Sequence, residues 1–337
     1  MFASNLTPGL AAACAIAPAL LLLWLVIAAD SRPEPPRVVW MCVALGAVSV
    51  FPAAWVELWL LHHLLFSINP LVAAGQEALW VAAVPEEIAK VGLIAAVALK
   101  SRDFDEPMDG VVYGAAVGLG FAAVENFLYV TQNANLVAVA VMRGVLSVPF
   151  HGALGAIAGA YIAGARFGGA LGAHRHGGWW RARRFAWAWL LPVVLHTLFD
   201  WSVFSLGALG RQSAITPSAA TGGLILLILV IWLVVGFGTI ALAVWLARRI
   251  AHRQKAYLDT KRLPPAHWRL IWGRTLCGVG FSIVGIALIV AGALTAKVLG
   301  FVVLAIAIAI SAHCAKYLSD AAKATHRLVA AERIASS

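Results

Sequence analysis

The segment Val84-Pro-Glu-Glu-Ile-Ala-Lys-Val-Gly92 sets two adjacent carboxylates and an ammonium inside a long apolar run, 71–99. One charge at the centre of a bilayer costs roughly 2.5–3.5 kcal/mol, so Glu86, Glu87 and Lys90 need partners. Three later apolar runs supply them. Gly120-Phe-Ala-Ala-Val-Glu-Asn126 carries Glu125 and Asn126, the next run carries His151, and Leu195-His-Thr-Leu-Phe-Asp200 carries His196 and Asp200. A buried glutamate can be tuned to activate water. A histidine or Asn126 can stabilise the oxyanion of a tetrahedral intermediate. Alternatively, His151, His196 and one glutamate supply the two-His-one-Glu set of a catalytic zinc site, with a second glutamate as base. The chain has no His-Glu-x-x-His, no Gly-x-Ser-x-Gly and no intramembrane Ser/Lys or Cys/His couple. Asp200 is the one deeply placed aspartate, which argues against a pair of catalytic aspartates. Hydrolysis by this set is glutamate- or metal-dependent.

Helical geometry relates these residues to one another. Glu86 and Lys90 are spaced i, i+4, and Glu87 and Lys90 i, i+3, so the lysine can neutralise one of the two carboxylates. Adjacent glutamates point about 100° apart on a helix, which leaves the other free to face a cavity. Pro85 favours the first turn of a helix or a kink. If the helix breaks there, both carboxylates gain from a helix N-terminus. Gly110, Gly114 and Gly118 form a small-residue row that continues toward Glu125. His151 heads a second row with Gly155, Gly159 and Ala163. Such faces let membrane helices approach closely and turn Glu125 and His151 into the protein. His196 and Asp200 share a face, so the carboxylate can fix the orientation of the imidazole.

The elements that must hold these groups are membrane spans. Of 337 residues, 62% are hydrophobic and only 12% charged, against about 25% charged in soluble domains. Apolar runs near 9–29, 38–61, 71–99, 108–130, 137–165, 185–206, 222–246 and 275–294 are of spanning length. A ninth, 298–318, is set off mainly by Lys297. The expected fold is all-α, a polytopic transmembrane helix bundle of eight or nine spans, because the runs are continuous and do not alternate. The net charge of +10 sits in loops between spans, which argues for membrane orientation and against nucleic acid as a partner. Loops 166–184 and 248–274 are basic and expected in the cytoplasm. The N-terminus is then outside, and with nine spans the C-terminus is cytoplasmic. The four cysteines (Cys14, Cys42, Cys277 and Cys314) show no CxxC spacing, so neither a disulfide framework nor a thiolate metal site is indicated.

Taken in order, Glu86-Glu87-x-x-Lys90, Phe121-x-x-x-Glu125-Asn126, His151 and His196-x-x-x-Asp200 resemble the four motifs of the PrsW intramembrane proteases. That family is similar to the wider group of type II CAAX prenyl endopeptidases. The resemblance covers roughly residues 71–206, and Gly159 suits the small-residue pattern after His151. It implies cleavage of a peptide bond in or beside the plasma membrane, in a single-span or membrane-associated protein such as an anti-sigma factor, with a divalent metal such as zinc as cofactor. The expected catalytic residues are Glu86, Glu87, Glu125, His151 and His196, with Lys90, Asn126 and Asp200 supporting. Glu125, His151 and His196 are the expected metal ligands. The expected organisation is N-terminal spans over 1–70, a four-helix catalytic core over 71–206, C-terminal spans over 207–318, and a basic tail over 319–337. The alternative is a proton- or cation-coupled transporter using the same Glu/His/Asp cluster, against which stands the absence of an inverted repeat and of paired broken helices.

Overall fold

The computed structural model of the chain describes residues 8–30, 32, 34–132, 136–168, 177–215 and 218–259. The eighth and ninth apolar runs and the tail lie outside the described residues. The chain divides into two units, Met1–Leu23 with Glu34–Leu263, and Trp24–Pro33 with Pro264–Ser337. Every candidate site residue belongs to the first. In the second, the backbone N–H of Arg32 donates to Asp30 Oδ1 at 3.0 Å just past the first helix.

All regular structure among the described residues is helical. In chain order the helices are α1 (Pro8–Ala29), α2 (Pro36–His63), α3 (Pro70–Gln76), α4 (Val84–Lys100), α5 (Pro107–Gln132), α6 (Leu136–Met142), α7 (Val148–Phe167), α8 (Gly178–Ile215) and α9 (Ala219–Asp259). A π-helical turn, Glu77–Ala83, joins α3 to α4, and a second, Arg143–Ser147, joins α6 to α7. Five stretches are long and apolar enough to cross a bilayer: Pro36–His63, Pro107–Gln132, Val139–Phe167, Gly178–Ala214 and Ala219–Gln254. The α3–α4 rod is apolar too, but it carries Glu77, Glu86, Glu87 and Lys90.

The two π turns share one cause. Each runs into a Val-Pro pair, Val84-Pro85 and Val148-Pro149. A proline has no N–H to give, and its ring clashes with the carbonyl four residues back. The turn before it widens instead: the Val84 N–H bonds to the Leu79 carbonyl and the Val148 N–H to that of Arg143, each five residues back. The helix is therefore not broken at Pro85, and Glu86 and Glu87 do not stand at a free helix N-terminus. At the far end of this rod Asn69 caps α3, its Oδ1 accepting from the N–H groups of Leu71 at 2.9 Å and Val72 at 3.3 Å. Trp201 of α8 donates from Nε1 to the Leu71 carbonyl at 3.0 Å.

Helix α5 is the centre of the packing, pressed between α7 and α2. The two glycine rows meet. A methyl group on Gly110, Gly114 or Gly118 would collide with the carbonyl oxygens of Gly159, Gly155 and His151 respectively, and one on Gly155 or Gly159 with those of Gly114 and Gly110. On its other face Gly120 abuts the Val43 carbonyl, and Gly46 of α2 abuts that of Val117. Backbones this close hold α5 and α7 in one register and so fix Glu125 relative to His151.

The start of α5 is anchored separately. Asp109 Oδ2 accepts from the N–H groups of Asp105 and Glu106, both at 2.8 Å. Gln254 of α9 donates to Glu106 Oε1 at 2.7 Å and accepts from the Met108 N–H at 2.8 Å. Tyr113 donates its hydroxyl to Glu34, which precedes α2. Burial raises the Glu34 carboxyl above its ordinary range, against the hydrogen bonds it shares with Asp109 and Tyr113.

Candidate active site

The two Val-Pro pairs position the chemistry. Glu86 and Glu87 follow Pro85 directly, and His151 comes two residues after Pro149. His196 and Asp200 lie one turn apart on the uninterrupted α8. Four side chains from α4, α7 and α8 converge: donor atoms of Glu86, Glu87, His151 and His196 all lie within 4.8 Å of one another. They are almost wholly shut off, with Lys90 at 0%, Glu87 at 1%, His196 at 2%, His151 at 3% and Glu86 at 5% exposure. Bulk water cannot stabilise these charges, so each must be met by another side chain.

The contacts show how that is done. Lys90 Nζ lies 3.0 Å from Glu86 Oε2 and 2.7 Å from Glu87 Oε1, so the lysine bridges both glutamates and not one. It also lies 3.2 Å from His151 Nδ1 and 4.3 Å over the Phe121 ring. An ammonium can only donate, so His151 Nδ1 is the acceptor and its proton is on Nε2. That nitrogen faces Glu125 Oε2 at 3.0 Å. His196 directs Nδ1 at Glu87 Oε1 (2.9 Å) and Nε2 at Asp200 Oδ2 (3.2 Å), with Glu86 Oε2 3.9 Å from Nε2. The imidazoles meet edge to face, their centroids 5.1 Å apart. Phe150 packs edge-on against His196 at 6.0 Å.

Glu125, expected among the metal ligands, stands behind His151 and not among the four convergent donors; Glu86 and Glu87 are the carboxylates that join the histidines. Arg143, whose position along its helix places it nearer the outer end, reaches Glu125 Oε2 at 2.6 Å and stacks over the Tyr129 ring at 3.9 Å. Asn126 is buried beside Glu125, about 100° further round α5. Two carboxylates absent from the expected set also belong to this region. Glu57 of α2 interacts electrostatically with Glu86, Glu125, His196 and Lys90, and Glu77 with Asp200 and Arg211. The signal that locates them is the same as for Glu86, a carboxylate inside an apolar run.

The donor set suits a divalent cation. Glu86, Glu87, Glu125 and Asp200 bring four negative charges, and Lys90 and Arg143 bring two positive ones. The remaining two are offset by two further protons shared within the cluster, or by one divalent ion beside neutral imidazoles. Two carboxylates and two imidazoles are also hard-to-borderline donors of the type zinc accepts.

Residues 34–251, which include the whole cluster, match the family model of the PrsW family intramembrane metalloproteases. The chain belongs to the PrsW family. It is similar to Protease PrsW of Geobacillus kaustophilus (strain HTA426), with 28% identity over 252 residues that cover 74% of this chain and 94% of the relative. Protease PrsW of Oceanobacillus iheyensis is 30% identical over 186 residues, 55% of this chain and 79% of the relative. Protease PrsW of Bacillus subtilis (strain 168) is 30% identical over 192 residues, 57% and 81% respectively. No solved structure matches the chain. As a PrsW protein the chain is a membrane-embedded peptide hydrolase acting on protein substrates of the membrane. The family findings do not favour the transporter alternative.

Proposed function

We propose that Glu86, Glu87, His151 and His196 form the hydrolytic centre of this PrsW protease. The observation that carries the reading is the convergence of these four side chains from three helices in a sealed interior. Glu86 acts as the general base. Glu87 is engaged by both Lys90 and His196, whereas Glu86 has one close partner, Lys90, and is the more exposed of the two. Glu86 takes a proton from a water molecule as its oxygen adds to the scissile carbonyl carbon. His196 donates a hydrogen bond to the oxyanion that forms there. The proton held on Glu86 then passes to the leaving amine as the C–N bond breaks. Glu87 and Asp200 orient His196. Glu125 orients His151, and Asn126 lies beside it as a further polar group. A divalent ion, zinc by the chemistry of the donors, would be held by Glu86 or Glu87 with His151 and His196, and would supply Lewis acidity toward the carbonyl.

The substrate class that suits such a centre is a single-span protein whose cleavage site lies at the membrane, an anti-sigma-factor-like regulator in the resemblance. We further propose that α1 and the α3–α4 rod also cross the plasma membrane, that 71–206 is the catalytic core, and that the apolar runs after 274 bring the total to eight or nine spans.

Cleavage of a single-span substrate co-reconstituted in liposomes tests this. Glu86→Ala, Glu87→Ala and His196→Ala should each abolish cleavage without loss of expression. Unchanged cleavage by all three removes the proposal.

A further inference from the structure

Lys90 is the member of the cluster to which the hydrolytic steps give no task. Its Nζ touches Glu86 Oε2, Glu87 Oε1 and His151 Nδ1 at 3.0, 2.7 and 3.2 Å. These atoms belong to three of the four residues that converge as a cation site. No part of the side chain meets solvent, and the Phe121 ring closes one side of the ammonium. Zinc bonds oxygen and nitrogen donors at about 2.0–2.2 Å, through the lone pairs that these contacts now use. His151 Nδ1 has a single lone pair and cannot serve both the ammonium and a divalent ion, and at the shared carboxylates their like charges repel strongly where water is scarce.

We propose that Lys90 is a built-in competitor for the metal. Its ammonium fills the cation position of the metal-free pocket and holds the two glutamates and His151 together. A divalent ion enters only as that side chain swings off all three. The inference rests on the metal reading of these same residues and adds a control on it: the pocket binds metal more weakly than its four ligands would alone. A lysine that merely orients the carboxylates predicts the opposite sign, since its loss would disorder the ligands and weaken binding.

The sign is measurable without any cleavage assay. The full chain in detergent micelles is stripped with a chelator, then titrated with zinc against a chromophoric competitor, and its thermal unfolding is followed with and without zinc. Wild type is compared with Lys90→Met and with Lys90→Gln, the latter one bond shorter but keeping a hydrogen-bond donor. Both variants should bind one zinc per chain about tenfold or more tightly than wild type. Their metal-free forms should melt below the metal-free wild type, and zinc should restore the difference. Adding His196→Ala to Lys90→Gln should abolish the tight site. Equal or weaker binding by the variants that fold, or binding indifferent to His196→Ala, overturns the inference. If Lys90→Met does not fold, Lys90→Gln decides. Tighter zinc binding in a chain that cleaves nothing would sink the hydrolytic roles and leave this inference standing. Cleavage by wild type alongside variants that bind no more tightly would do the reverse.

Discussion

Glu125 stands between two donors, the Arg143 guanidinium at 2.6 Å and His151 Nε2 at 3.0 Å. It is therefore a support for the imidazole, and Arg143 is a support for Glu125. Outer partners of this type typically carry 10–100-fold of activity or metal affinity. Arg143→Met should lower the cleavage rate by about 10–100-fold while the protein still folds. Arg143→Lys keeps the charge but loses the fork of donors, and should recover only part of it. Equal cleavage by wild type and Arg143→Met in liposomes would remove Arg143 from the site. This residue also shows where sequence reading stops. The deep polar groups were legible because Glu, Lys and His are conspicuous in apolar runs, and the i, i+4 spacings gave the Glu86–Lys90 and His196–Asp200 contacts directly. Position along a helix gives the height of a Cα, whereas an arginine carries its charge well away from it. Arg143 consequently stands outside the expected site residues.

At the level of elements, the glycine rows and the prolines behave differently as signals. Gly110, Gly114 and Gly118 are spaced i+4 and so are Gly155 and Gly159. That periodicity alone predicts two close-packing faces, and α5 and α7 do meet along them, backbone against backbone. The helices themselves were also readable, the described ones following the first seven apolar runs, and five stretches are long and apolar enough to cross a bilayer. The π turns were not. Pro85 marks a disturbance, but a proline admits either a break or a widened turn, and the choice depends on whether neighbouring helices keep the rod straight. Val148-Pro149, which does the same for His151, carries no stronger local mark than any Val-Pro pair. The glycine contact gives a test. Gly114→Leu forces a side chain into the Gly155 carbonyl and should cost at least about 1–3 kcal/mol, seen as a lower melting temperature in detergent together with lost cleavage. Gly92→Ala on α4, where nothing lies within 4 Å of the added methyl, should leave stability unchanged or raise it by up to about 1 kcal/mol. Equal melting of Gly114→Leu and wild type would mean that the α5–α7 approach is not what holds the bundle.

For the whole molecule, the decisive pattern is the charge at the two ends of the rods. Arg37 at the start of α2, Lys100 and Arg102 after α4, Arg166 at the end of α7, Arg181, Arg183 and Arg184 at the start of α8, and Arg248, Arg249 and Arg253 near the end of α9 all fall on one side, because successive rods alternate in direction. The other side has His62, His63 and Arg211. Arg166 is tied down there as well, donating to the Ala98 carbonyl at 2.8 Å. A bias of this size predicts orientation: we propose that the basic side faces the cytoplasm and the α2–α3 connection the outside, with α1 running inward from an external N-terminus. It also gives the site its address. Glu86, His151 and His196 lie near the middle of their rods, so a substrate is expected to reach them within the thickness of the bilayer. Single cysteines in a chain freed of Cys14, Cys42, Cys277 and Cys314 check the orientation. Leu65→Cys, at a position whose side chain is 93% exposed, should react with a membrane-impermeant maleimide on intact cells. Arg102→Cys should react only after permeabilisation. The reverse pattern would invert the topology, although the four convergent side chains, being near mid-depth, would remain where they are.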